Sequence, residues 1–184
     1  MTLEDWIAVP KDDGHGLELA EGVLIVTPQP SQRHEQAVLR LAAQLEPQLP
    51  ITWGTLRRAE LVVDSGPVPT VRLPDLLVGT EAGIEDNLPR WSPEHVCLVA
   101  EIMSEGTRRT DRVTKLDEYA EAGVENYWLI DMDDPMSLRA FRLMADRYEN
   151  LGRQTGRIAL PLLNSSVTID LPALTGRRTA GQAG

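Results

Sequence analysis

Three ionisable residues sit where their surroundings are wrong for them. Asp75 follows Pro74 inside the apolar run 71–78, and Glu101 interrupts the apolar run 96–103. Lys115 comes one helix later, on the flank of that helix's apolar face. A strand that is apolar on both sides suits a sheet covered by helices, and an ionised Glu there is costly unless a cation meets it. Two carboxylates on neighbouring strands, with a backbone carbonyl such as that of Ile102, make an all-oxygen donor set. Such a set suits Mg²⁺ or Mn²⁺, which take few protein ligands and keep several waters. A bound cation offsets the burial of Glu101, activates a water and stabilises charge on a phosphate under in-line attack. A lysine alongside orients that water or neutralises the developing charge. The combined chemistry is phosphodiester hydrolysis.

Each residue also has a plain structural account. Asp75 alone is a turn or capping aspartate. Glu101 alone is an inward charge protecting an edge strand, although its apolar neighbours make that awkward. Lys115 alone is a solvated i,i+4 partner of Asp111, a pair worth about 0.3–0.5 kcal/mol. His34 lies four residues before Val38, on the apolar side of its helix, and reads first as a core histidine with a satisfied partner. Arg108, Arg109 and Arg112 fit either a solvated helix start or a cationic rim for a phosphate backbone. Cys97 reads as a small buried strand residue. No Ser, Cys or His set has triad spacing, and no Gly-rich loop cradles a nucleotide.

Composition bounds these readings. The 184 residues are 42% hydrophobic and 25% charged, which suits one domain with a real core. A formal net charge of −10, from 28 acidic against 18 basic residues, disfavours loose backbone-only binding to nucleic acid. It leaves room for a locally cationic cleft. One cysteine permits no intrachain disulfide and no zinc cluster. The opening Met1-Thr2-Leu3-Glu4-Asp5-Trp6 lacks the regions of a signal peptide, and no apolar run reaches the roughly 20 residues of a membrane span. A soluble, cytoplasmic protein with no membrane partner is expected.

The elements that must position these residues follow from periodicity. Residues 3–9 suggest a short helical turn, and 17–19 with 23–27 a hairpin. Ser31 is a candidate N-cap for a helix over 32–46, whose Val38, Leu41, Ala42 and Leu45 form one apolar face. Strands are expected at 51–53, 59–64 and 71–78, the last with Pro74 marking an edge or bulge. Residues 79–95 read as a polar surface connection. A strand at 96–103, a helix over 110–122 and a strand at 126–130 form the central unit, with Gly123 ending the helix. Short strands follow at 137–143, 147–149, 158–160 and 167–171. The expected domain spans 1–175, with a disordered tail over 176–184. The fold class is α/β, a central mixed sheet flanked by helices.

Several segments resemble the Uma-two family of putative restriction endonucleases, in the PD-(D/E)XK nuclease superfamily. They are Pro74-Asp75, Val99-Ala100-Glu101-Ile102-Met103-Ser104, Asp111-Arg112-Val113-Thr114-Lys115, Tyr119, Gly123-Val124 and Tyr127-Trp128-Leu129-Ile130-Asp131. Leu17-Glu18-Leu19, Glu21-Gly22, Pro28, Pro30 and His34 extend the likeness, which runs from about residue 5 to about residue 150. The resemblance implies a restriction-endonuclease-like fold, with Asp75 and Glu101 as metal ligands and Lys115 as a catalytic lysine displaced onto the helix. Glu18, His34, Ser104 and Asp111 form a second tier without assigned roles. Two departures stand out. Met103 replaces the superfamily's usual lysine, and Glu105-Gly106 replaces the Pro-Ser that the family usually carries after Ser104.

The leading expectation is therefore a Mg²⁺- or Mn²⁺-dependent endonuclease acting on nucleic acid, DNA first, as a homodimer by analogy. The alternative is a catalytically silent nucleic-acid-binding or assembly module of the same fold. A hydrolase of a small phosphorylated substrate ranks third.

Overall fold

A computed structural model describes residues 1–10, 15–103 and 110–176, with the side chains of residues 110–113 outside the description. In chain order the elements are α1 (Leu3–Ile7), β1 (Gly16–Ala20), β2 (Val23–Thr27), α2 (Gln32–Leu45), β3 (Trp53–Arg57) and β4 (Leu61–Asp64). Then come β5 (Thr70–Arg72), β6 (Leu76–Thr80), α3 (Glu81–Glu85), β7 (Val96–Met103), α4 (Thr110–Glu121) and β8 (Asn126–Asp131). The chain continues through β9 (Ser137–Met144), β10 (Arg147–Thr155), β11 (Arg157–Leu162), β12 (Ser165–Asp170) and α5 (Pro172–Thr175). Ser31 caps α2 as expected, accepting the His34 amide at 3.2 Å.

The strands form a six-stranded sheet in the order β10-β9-β8-β7-β6-β3, a four-stranded sheet β2-β1-β5-β4, and the pair β11-β12. Only β7 and β8 run parallel, because α4 crosses between them; the other pairs in the six-stranded sheet are antiparallel. The sheet is thus mixed. Its central strands are apolar on both faces because both are covered. Leu76, Val78, Leu98, Ala100, Trp128 and Ile130 pack on one side with Val38, Leu41 and Leu45 of α2. Leu77, Val99, Tyr127 and Leu129 pack on the other with Tyr119 of α4. A third, smaller core joins Trp6, Leu19 and Val71 under the four-stranded sheet.

Three expectations fail here. The run 71–78 is not one strand. It breaks at Leu73-Pro74-Asp75, with β5 in the four-stranded sheet and β6 in the six-stranded one. Proline has no N–H for a ladder, so the chain changes sheets there and Asp75 is left at the joint. The connection 79–95 is also more than surface loop. It carries α3, and its Trp91 is buried against Gly79 and Gly83. The strand expected at 51–53 begins instead at Trp53 and runs to Arg57.

Gly79 marks the tightest of these contacts. A Cβ there would stand 2.4 Å from the Trp91 ring, and the buried indole has little freedom to yield. Gly79→Ala is expected to lower stability by about 1–3 kcal/mol, read as a fall in the urea midpoint at unchanged slope. An unchanged midpoint would show that the indole moves aside freely.

Candidate active site

The site lies where the two larger sheets meet. Leu76 pairs with Ala100 across the β6–β7 ladder, so the preceding residue, Asp75, stands beside Glu101. Asp75 Oδ2 accepts the Ile102 amide at 2.7 Å, which locks the aspartate to the end of β7. From the other side α2 delivers His34, whose Nε2 lies 3.0 Å from Asp75 Oδ2 and 3.0 Å from the Ile102 carbonyl oxygen. A donor facing two acceptors carries the hydrogen, so the metal-free imidazole presents Nε2–H. Its Nδ1 is buried and meets no partner among the described residues.

Glu101 faces α4. Lys115 Nζ donates to Glu101 Oε1 at 3.0 Å and to Glu18 Oε1 at 3.1 Å, and the Tyr119 hydroxyl donates to the same Glu101 oxygen at 3.1 Å. Lys115 is only 13% exposed, so it is not a solvated helix-face lysine. β7 lies between β6 and β8, so Glu101 does not protect a sheet edge. His34 satisfies both of its readings at once: it is buried with a partner, and that partner belongs to the site. Ser104, the departure at Glu105-Gly106, the side chains of Asp111 and Arg112, and Arg108 and Arg109 all lie outside the described residues. So does most of the expected tail, from residue 177 on.

Glu18 anchors the lysine from the other sheet. Besides Lys115 it accepts the Leu73 amide at 3.2 Å and Arg72 Nη1 at 3.0 Å. Arg72 in turn grips Glu118 of α4 through Nε at 2.7 Å and Nη2 at 2.6 Å, a two-pronged pair. Sequence reasoning missed Arg72 and Glu118. The same rule that flags Glu101, a charge inside an apolar strand, finds Arg72 in β5. It missed Arg33 and Arg58 as well, which line the mouth of the cleft; nothing local marks a surface arginine for such a place. The cleft is about 640 Å³, and Glu18, His34, Asp75, Glu101, Ile102 and Lys115 all line it.

Electrostatics follow from burial and pairing. Burial pushes the Glu101 carboxyl up to about 7 against the pull of Lys115, and the neighbouring Asp75 and Glu18 carboxylates add to the rise. Burial opposes the charge on Lys115, yet Glu101 and Glu18 outweigh it and raise the ammonium above its ordinary value. Lys115 is therefore a permanent cation at neutral pH, not a free-amine base. Burial also opposes the His34 cation, but the hydrogen bond and charge of Asp75 raise the imidazole above its ordinary value. Glu18 is held low: burial would raise it, and Lys115, Arg72 and the Leu73 amide together win.

The donor chemistry fits a small divalent cation. Among the described residues no three His, Cys, Asp or Glu side chains form a cage by themselves. The Asp75 carboxylate and the Ile102 main-chain carbonyl both face His34 Nε2, each 3.0 Å away, and the Glu101 carboxyl is close enough to feel the Asp75 charge. Main-chain carbonyl plus carboxylate is the hard-oxygen chemistry that such ions select.

Comparison with known proteins bears on this arrangement. The profile of the family described as Uma2, putative restriction endonuclease, matches residues 3–172. A crystal structure of a putative nuclease belonging to DUF820, from Anabaena variabilis ATCC 29413, superposes with a TM-score of 0.64 at 18% identity. The match covers 88% of this chain and 89% of that one, which establishes a shared, restriction-endonuclease-like fold. No curated protein matches the chain. No helix among the described residues is long and apolar enough to cross a membrane. With its profile matched from residue 3 to residue 172, the chain belongs to the Uma2 family of putative restriction endonucleases.

Proposed function

We propose that this protein is a divalent-metal-dependent endonuclease hydrolysing phosphodiester bonds of nucleic acid, DNA first, from a single cytoplasmic domain over residues 1–175. The observation that carries the reading is Lys115. Its ammonium sits 3.0 Å from Glu101, on the same cleft as Asp75. Asp75, Glu101 and the Ile102 carbonyl hold Mg²⁺ or Mn²⁺. When bound, the ion supplies Lewis acidity and neutralises charge on the reacting phosphate. Lys115 remains protonated, so it stabilises negative charge and aims a water instead of removing its proton. Glu101 and Glu18 accept from that ammonium on two sides, which limits its motion during reaction, and the Tyr119 hydroxyl holds the same Glu101 oxygen. Arg33 and Arg58 place two cations at the cleft mouth, where a phosphate backbone would run, on a chain that is otherwise acidic.

A homodimer fits one surface. β2 is an edge strand of the four-stranded sheet whose Val23, Leu24, Ile25 and Val26 are all exposed and uncharged. Unprotected apolar edges invite pairing, and this strand can pair with its own copy without like charges meeting. Ile25 and Thr27 also border the cleft, so a second copy there would extend its wall.

Three outcomes are expected. Asp75→Ala, Glu101→Gln and Lys115→Ala should each slow cleavage of plasmid and single-stranded DNA about 10²–10³-fold in Mg²⁺ or Mn²⁺. Equal cleavage by native and variant proteins would mark a contaminant, and an inactive native protein would favour the silent binding module. Second, metal uptake requires the Glu101 carboxylate, which is protonated below about 7 and ionised above it. Calorimetric affinity for Mn²⁺ should accordingly rise from pH 6 to pH 8 and then level off; a flat response would contradict the protonated carboxyl. Third, Val26→Lys should convert a dimer to monomer in sedimentation, whereas a native monomer would remove β2 as an interface.

A further inference from the structure

A second cleft opens beside the first. It encloses about 380 Å³ and shares Arg58 and Leu73 with the larger one, so the two adjoin at those side chains. Its floor is apolar, made by Trp6, Leu17, Leu56, Leu88 and Trp91. Trp6 and Leu17 belong to the core of the four-stranded sheet; Leu56, Leu88 and Trp91 belong to the α4 side of the six-stranded one. The floor is therefore the seam between the sheets, on the far side of the joint that carries Asp75.

The walls are charged. Arg57, Arg58 and Arg90 all border this cleft. Arg90 is neutralised within it: its Nε lies 2.8 Å from Glu60 Oε2, the oxygen to which Trp6 Nε1 donates at 3.3 Å. Arg57 and Arg58 have one acid near them among the described residues, Glu35, at 4.0 and 3.8 Å. Half-exposed pairs at that distance contribute little, so both guanidiniums can exchange Glu35 for a ligand. Arg58 is also held in an unusual backbone state. Its φ is +51°, in the left-handed region that residues other than glycine rarely enter, and its amide donates to the Asp75 carbonyl at 3.4 Å. Strain of this kind concentrates at ligand sites. Here it sets a cation on the boundary of both clefts, one hydrogen bond from a residue of the candidate active site.

An arginine pair at the rim of an apolar floor suits a ligand that joins an anion to a flat apolar ring. A nucleotide is such a ligand: guanidiniums take its phosphate, and its base leaves water for the floor. The volume lies near the lower end of ligand sites, about 300–1,000 Å³, and leaves no room for a stacked base pair. We propose that this second cleft is a subsite for one unpaired nucleotide of the strand being cut, its phosphate on Arg57 and Arg58 and its base on the apolar floor. The proposal rests on the nuclease reading and narrows its substrate to unpaired strands.

Fluorescence anisotropy on the native protein in chelator, where no metal-dependent cleavage intervenes, tests the base contact. The probes are a labelled tetrathymidylate and an abasic tetranucleotide with the same backbone, equal in charge and different only in their bases. The thymidylate is expected to bind about tenfold or more tightly. Equal affinities would overturn the subsite. Arg57 is exposed and lies outside the catalytic cleft, so Arg57→Ala should keep the fold. It should flatten the slope of log affinity against log salt by about 0.7 for the thymidylate, and an unchanged slope would overturn the phosphate contact. In Mn²⁺ the native protein should cut a free strand faster than the same strand in a blunt duplex, and the reverse order would overturn the narrowing. Base-dependent binding without any cleavage would overturn the nuclease reading alone; cleavage with equal affinities would overturn the subsite alone.

Discussion

A carboxylate placed inside a central strand is the constraint around which the rest of this molecule is arranged. Glu101 lies in β7, flanked by β6 and β8 and covered on its own face by α4. An uncompensated charge in that position is strongly unfavourable, and the protein answers it with an ammonium and a phenol from one helix. The compensation is incomplete, because the carboxyl still titrates near neutrality. A fold built for stability alone would place an apolar residue there, since replacing a buried ion pair with packed hydrophobic side chains is often neutral or favourable. Retention of the charge is physical support for a functional role at this position.

The second determinant is the break at Pro74. Two sheets with separate cores have to be stitched together, and the stitch is the dipeptide that carries Asp75. Because Asp75 belongs to neither ladder, its side chain is free to turn toward the end of β7 and accept the Ile102 amide. On the four-stranded side the same transition brings Arg72 and the Leu73 amide onto Glu18. The acidic and basic members of the cleft are thereby drawn from both sheets and two helices and are held by shared contacts, Lys115 bridging Glu101 and Glu18 and His34 meeting Asp75.

How much of this can be read from the chain depends on whether the signal is local. Glu101 and Asp75 are legible because a charge in an apolar run breaks a one-dimensional pattern, and the helix carrying Lys115 has caps and periodicity of its own. The split of 71–78 is not legible. Both halves are apolar, and nothing in their period says that they join different sheets. Trp91 is hidden for a related reason: Pro89, Arg90, Ser92 and Pro93 around it read as loop, while its burial depends on Gly79 from another element. Glu18 looks like an ordinary strand-surface charge until its tertiary contact with Arg72 is formed. Helix ends, by contrast, fall within one or two residues of their expected positions, since caps act at short range.

The bridge from Glu18 through Arg72 to Glu118 ties the hairpin β1–β2 to α4 through a buried three-member charge relay. Exchange of that hairpin between homologues is therefore not a modular operation. A transplanted loop lacking the glutamate would leave an arginine and a lysine facing each other in the interior, so chimeras have to carry the acid, the guanidinium and the helix as one inherited block.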